Sequence, residues 1–170
     1  MMHRFFVNPS CIDGEIVVFR DHIVHQLISV LRVSLGYQIV VLDNSGWEYV
    51  VELEQVSRQI VQGRITKKIL SRGEIEFEVV LYQAVLKANK FDAVLRKGTE
   101  LGVSKFVPVF CERSVPKHRV ETGSTVRNER WCRIVSEAAE QSHRGKLPVV
   151  EASVNFPEAC DLMDGLSLIP

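Results

Sequence analysis

Four side chains able to form directional polar contacts, Arg133, Glu137, Gln141 and Arg144, recur at spacings of four, four and three. That spacing puts them along one stripe of a helix. The stripe is polar and fork-forming, and a guanidinium fork matches the oxygens of a phosphate or carboxylate. The same spacing also suits a solvated face tied by an Arg133 to Glu137 pair. Ala138 and Ala139 beside the stripe would let another helix or subunit pack closely.

Other basic groups cluster more loosely. Arg113, Lys117, His118 and Arg119 fall in one expected loop and could contact phosphates, or be ordinary solvated surface. Residues 105 to 146 carry nine Lys or Arg against five Glu, whereas residues 147 to 170 carry four acids and no base. Arg4 and Arg32 lie at opposite ends of the earliest elements, and Lys67-Lys68 with Arg72 form a further small cluster. Small barrels present loops and an open face to oligonucleotides. No glycine-rich phosphate loop, Gly-x-Ser-x-Gly elbow or metal-ligand cluster occurs. The five histidines have no Cys or Asp partner at nucleophile spacing.

The elements that must position these groups fall into two styles. The chain has 170 residues, 46% hydrophobic and 25% charged, enough for one ordinary domain or two small ones. Lys plus Arg and Asp plus Glu number 21 each, so net charge argues neither for nor against a polyanionic partner. Up to about residue 72, short Val-, Ile- and aromatic-rich runs predict strands: Arg4 to Val7, Glu15 to Phe19, Gln38 to Leu42, Trp47 to Leu53 and Ile60 to Ile69. Asp43-Asn44-Ser45-Gly46 reads as a hairpin turn. One helix, capped by Asp21, carries Ile23, Leu27, Ile28 and Leu31 toward a core. Five strands and a helix suggest a small closed barrel.

The polar segment Ser71-Arg72-Gly73-Glu74 marks a boundary, after which strands alternate with helices. The spacing predicts strands over Phe77 to Leu86, Lys105 to Phe110, Val149 to Val154 and Leu166 to Ile169. Helices are expected from Asn89 to Leu101, Thr125 to Arg144 and Pro157 to Met163, with Gly102 as a left-handed cap. This is an α/β pattern following an all-β domain, with a mainly parallel sheet. Cys11, Cys111, Cys132 and Cys160 lack zinc or dithiol spacing and read as reduced, mostly buried thiols of a cytoplasmic protein. No apolar run approaches the roughly 18 residues of a membrane span, and none forms a signal-peptide core.

Several words together resemble the ribosomal RNA small subunit methyltransferase E family. They are Met2-His3-Arg4-Phe5-Phe6-Val7, Leu31-Arg32-Val33 with Gly36, and Leu81 through Lys87. Arg96-Lys97-Gly98-Thr99-Glu100-Leu101-Gly102-Val103, Pro108 through Val115, and Arg130-Trp131 through Arg144 follow in the same order and spacing. The resemblance implies a PUA-like RNA-binding barrel over 1–72 and, over 73–170, the first part of a SPOUT methyltransferase domain. It also implies a homodimer that binds S-adenosyl-L-methionine in a knot and methylates uracil N3 of 16S ribosomal RNA in the small ribosomal subunit.

Such a reaction needs the N3 proton removed and charge on the uracil carbonyls stabilised. The resemblance directs attention to Glu137, Arg144 and Glu100 for catalysis or orientation, the two glutamates alternatively at a dimer contact. Arg4, Arg32, Arg113, Lys87 and Gln141 would contact RNA. The family's Gly-Pro-Glu-Gly-Gly loop and its later words are absent from this sequence, so the cofactor-binding residues are expected beyond Pro170, with none in this stretch, and no metal is expected. A non-catalytic RNA-binding or ribosome-assembly module would fit the same elements.

Overall fold

The structure, a computed structural model, describes residues 2–87, 89–112 and 125–168, with the backbone alone for 21 and 125–128. It divides into two compact units, Met1–Glu74 with Glu140–Lys146, and Ile75–Ala139 with Leu147–Pro170. The single boundary expected near residue 72 had placed 140–146 with the second domain.

The first unit holds β1 (Arg4–Phe6), β2 (Ile12–Asp13), β3 (Ile16–Phe19), α1 (Asp21–His25), β4 (Gln38–Leu42), β5 (Trp47–Val56) and β6 (Val61–Leu70). The strands form one curled sheet in the order β1-β4-β5-β6-β3-β2. β1 runs parallel to β4, and the other neighbours are antiparallel. Among the described residues no pairing joins the two edges, β1 and β2, so the ladder itself does not close into the expected barrel. Phe5, Val17, Phe19, Leu27, Ile39, Val41, Val51, Leu53 and Val61 form the core, each such burial contributing about 2 kcal/mol of transfer free energy.

Two local details differ from expectation. Arg20, not Asp21, occupies the cap position of α1, and no side chain caps it. The expected helix continues as a π-helical turn over Gln26–Val30, in which the Leu31 amide donates to the Gln26 carbonyl at 2.9 Å. Leu27 is thereby fully buried.

The second unit holds β7 (Val80–Ala84), α2 (Asn89–Glu100), β8 (Lys105–Phe110), α3 (Thr125–Gln141), β9 (Val149–Val150), β10 (Val154–Asn155) and α4 (Phe156–Leu162). All its strand pairs are parallel, with β8 between β7 on one side and β9 and β10 on the other. The expected strand from Val149 to Val154 is thus broken in two, for a reason that lies in β8. The Ser104 and Phe106 carbonyls accept from the Val149 and Glu151 amides, so alternate residues of β8 face this neighbour. Pro108, next in that series, has no N–H to offer, and the ladder lapses until Val154.

Gly98 brings α2 against β8: a Cβ there would stand 2.6 Å from the Phe106 ring. Gly102, at φ 98°, ends the helix region as expected. Trp131, Ile134, Val135, Ala138 and Ala139 form the buried stripe of α3, with Trp131 tilted on Phe91 at 4.7 Å between ring centres. Residues 166–168 are not a strand, and Leu166 and Leu168 are exposed. None of the four cysteines is buried. Cys132 lies off the buried stripe of α3, and in α4 it is Ala159 rather than Cys160 that turns inward. Among the described residues no helix is long and apolar enough to cross a membrane.

Candidate functional site

The proposed polar stripe on the third helix is cut short by the backbone. α3 ends at Gln141, and His143 adopts a left-handed φ of 61° just before Gly145. Arg133, Glu137 and Gln141 keep their shared exposed face, with Arg133 Nε 3.9 Å from Glu137. Arg144 leaves that face and is 3% exposed. Its Nη2 and Nε reach Glu74 at 2.7 and 3.3 Å, and Glu74 also accepts from the Gly145 and Lys146 amides. Burial alone would raise the Glu74 pKa, but the Arg144 fork and these two amides together hold it below its ordinary value.

Arg4 is engaged in a similar way in the same unit. Its two terminal nitrogens donate to Glu48 at 3.0 and 2.8 Å, and only 7% of the side chain is exposed. The Arg4 hydrogen bond is the largest influence on Glu48 and holds its carboxyl below the usual range. Arg32, by contrast, is exposed at a left-handed φ of 52°.

In the second unit the residues separate along the sheet. Lys87 is exposed just beyond the carboxyl end of β7, the side on which parallel α/β sheets build ligand sites. Near it in sequence, Asp92 is buried in the first turn of α2 and accepts from Arg130 Nη2 at 2.5 Å. Glu100 lies at the opposite end of α2, where the chain returns to the amino end of β8, and pairs with Lys97 at 2.7 Å. Glu137, late in α3, likewise precedes the return to the amino end of β9. The structure therefore does not bring Glu100 and Glu137 to the strand ends near Lys87. Arg113, Lys117, His118 and Arg119 lie outside the described residues.

Sequence reasoning passed over Asp92, Glu74 and Glu48, the acids that engage three of the arginines. For Asp92 a signal existed: an acid on the apolar stripe with Phe91 and Leu95 must find a cation. Glu48 and Glu74 are distant in sequence from their partners and gave none. Among the described residues no group of three or more His, Cys, Asp or Glu gathers as metal ligands. At the carboxyl ends of the strands stand Lys87, Cys111, Glu112 and Asn155, all exposed or half-buried. Exposed Leu86 and Phe156 adjoin them, so apolar surface able to meet an adenine and polar groups able to meet a ribose or carboxylate stand at the same strand ends.

A sequence model described as the RNA methyltransferase domain matches residues 73–169. The chain is 35% identical to "Ribosomal RNA small subunit methyltransferase E" of Bacillus subtilis over 140 residues, 82% of this chain and 54% of that protein. It is 33% identical to the protein of the same name from Synechocystis, over 97% of this chain and 52% of the relative. The solved structure of the Neisseria gonorrhoeae protein of that name, bound to S-adenosyl methionine, superposes with a TM-score of 0.86 at 29% identity. That superposition covers 96% of this chain and 66% of the other. The chain spans about half the length of the curated relatives it matches. With the domain model matching more than half of its residues, the chain belongs to the RNA methyltransferase family, and over most of its length it is similar to ribosomal RNA small subunit methyltransferase E.

Proposed function

We propose that this stretch forms the RNA-engaging and scaffolding part of an S-adenosylmethionine-dependent ribosomal RNA methyltransferase. Its substrate is uracil N3 in the 16S RNA of the small ribosomal subunit, and the complete protein works in the cytoplasm as a homodimer. The observation that carries the reading is the alignment with ribosomal RNA small subunit methyltransferase E relatives over nearly the whole chain, both units included. In this proposal the curled first sheet is a PUA-like RNA-binding module, and the parallel sheet of the second unit is the first part of a SPOUT fold.

The residue roles divide by exposure. Arg32, Lys87 and Gln141 are exposed and are assigned to RNA, together with Arg113. Arg4 and Arg144, buried against carboxylates, are assigned to positioning: each fixes a segment of the first unit, and neither offers a free fork to phosphate. Glu100 and Glu137 are assigned to the contact with a second subunit, since both are exposed and away from the carboxyl ends of the strands. The cofactor is held by segments the family carries beyond this stretch.

The test is a calorimetric titration of S-adenosylmethionine into this 170-residue chain and into a version carrying the family's loop and knot segments. Both are then assayed for N3-methyluridine on unmethylated small-subunit particles by mass spectrometry. Cofactor binding and methyl transfer by the longer form alone supports the proposal. Neither property in either form, with RNA binding retained, replaces it with a non-catalytic ribosome-assembly module.

A further inference from the structure

A group of exposed apolar and cationic residues lies at one end of the β5–β6 hairpin. Trp47 and Leu70 are directly opposite across the ladder, 37% and 59% exposed. Along β5, alternation puts Trp47 and Tyr49 on the face that further on buries Val51 and Leu53 in the core. The core face of the sheet therefore runs past the end of the core, with Tyr49 half-buried at its border and Trp47 partly exposed beyond it.

A bulge then brings charge to that face. The register of β5 against β6 shifts between Val50 and Val51, where Thr66 is the extra residue. Without it Lys68, three positions from the core-facing Ile65, would point to the other face. With it, Lys68 stands opposite Tyr49, its ammonium 4.6 Å from the centre of the Trp47 ring and 5.3 Å from that of Tyr49.

Further cations stand near Gly46, the residue before Trp47. The Cε of Lys146 lies 3.5 Å from where a Cβ on Gly46 would stand. Exposed Arg72 follows Ser71, whose amide donates to the Gly46 carbonyl. The neighbouring acid, Asp43, accepts from the Ser45 amide and hydroxyl and from the Tyr49 hydroxyl and sets one negative charge against three cations. Glu48, alternating to the other face, is held by Arg4.

We propose that Trp47, with Leu70 at its edge, is a stacking platform for an unpaired base of single-stranded RNA, and that Lys68, Lys146 and Arg72 hold the flanking phosphates. Aromatic faces beside fixed cations are what sequence-tolerant binding of single strands requires. The proposal rests on the RNA-directed reading above and specifies the form of RNA this end of the unit accepts: unpaired, not duplex.

The test uses the full 170-residue chain carrying Trp131→Phe, which leaves Trp47 as the remaining tryptophan. A single-stranded, uridine-rich oligoribonucleotide should quench its fluorescence, whereas the same strand in a duplex should not. In an anisotropy titration Trp47→Ala should weaken single-strand binding by about 5- to 100-fold. Trp47→Phe, which keeps a ring, should stay within about threefold of the parent. Lys68→Gln should lower the slope of log affinity against log salt by about 0.7. These two milder variants decide the matter if Trp47→Ala does not fold. RNA binding with no quenching and no effect of these variants overturns the platform and leaves the RNA-directed reading standing. A parent that binds no RNA at low salt overturns both.

Discussion

Arg144 and Glu74, separated by 70 residues, form a buried fork in which one carboxylate takes two guanidinium nitrogens and two successive backbone amides. The contact fixes the segment after α3 within the first unit. Close backbone packing accompanies it: a Cβ on Gly73 would stand 2.2 Å from the His143 carbonyl oxygen, and one on Gly145 would meet Ser71 at 2.4 Å.

Arg144→Ala should lower stability by about 3 kcal/mol, because it leaves the Glu74 charge in a largely buried place without its partner. Lys at 144 should recover only part of this, since an ammonium cannot supply the fork. Urea denaturation of the chain measures both. A loss under about 0.5 kcal/mol for the alanine variant would show that the fork contributes little.

Acid should weaken the first unit. Glu74 and Glu48 both titrate below their ordinary value of 4.5 when folded. Their contribution is therefore complete above about pH 4.5 and is lost as the pH falls through the folded values. Far-UV circular dichroism melts between pH 7 and pH 3 should show a falling midpoint below about 4.5. In the double variant Glu48→Gln, Glu74→Gln, that dependence should flatten.

Gly98→Ala should destabilise the second unit by about 1–3 kcal/mol through overpacking on Phe106. Adding Phe106→Leu, which removes the ring atoms in question, should return part of the loss. Equal stability of Gly98→Ala and the parent would mean that α2 can lift away from β8 at little cost.

Alanine at Glu100 or Glu137 should change the stability of the isolated chain by no more than about 0.5 kcal/mol, as expected of exposed pairs with Lys97 and Arg133. A larger loss in a thermal melt would contradict the exposed, weakly coupled placement of both side chains.

The alternation of strand and turn residues made most of the elements legible, because burial of one face imposes a period that sequence records directly. β4 lies at its expected residues, and β8 does too. What was not legible depended on partners far along the chain. Nothing near Val149 to Val154 announces a break, since the cause is Pro108 in a neighbouring strand. The helical spacing from Arg133 to Arg144 suggested one continuous polar stripe, and a single left-handed residue, His143, redirected its last member. Arg4 and Arg144 were visible as cations, but whether a cation faces solvent or a carboxylate is decided by Glu48 and Glu74, dozens of residues away.

The membership of Glu140–Lys146 in the first unit also sets the order in which a nascent chain can finish folding. The sheet from β1 to β6 leaves the ribosome first, yet the guanidinium that engages Glu74 and the amides beside it emerge only after α3 has been made. At ordinary elongation rates that is a wait on the order of several seconds. A unit synthesised before α3 is thus sealed only after it. A chain released before residue 144 would carry an incompletely closed first unit, open to proteolysis, so translation past α3 is itself a condition for that unit's durability.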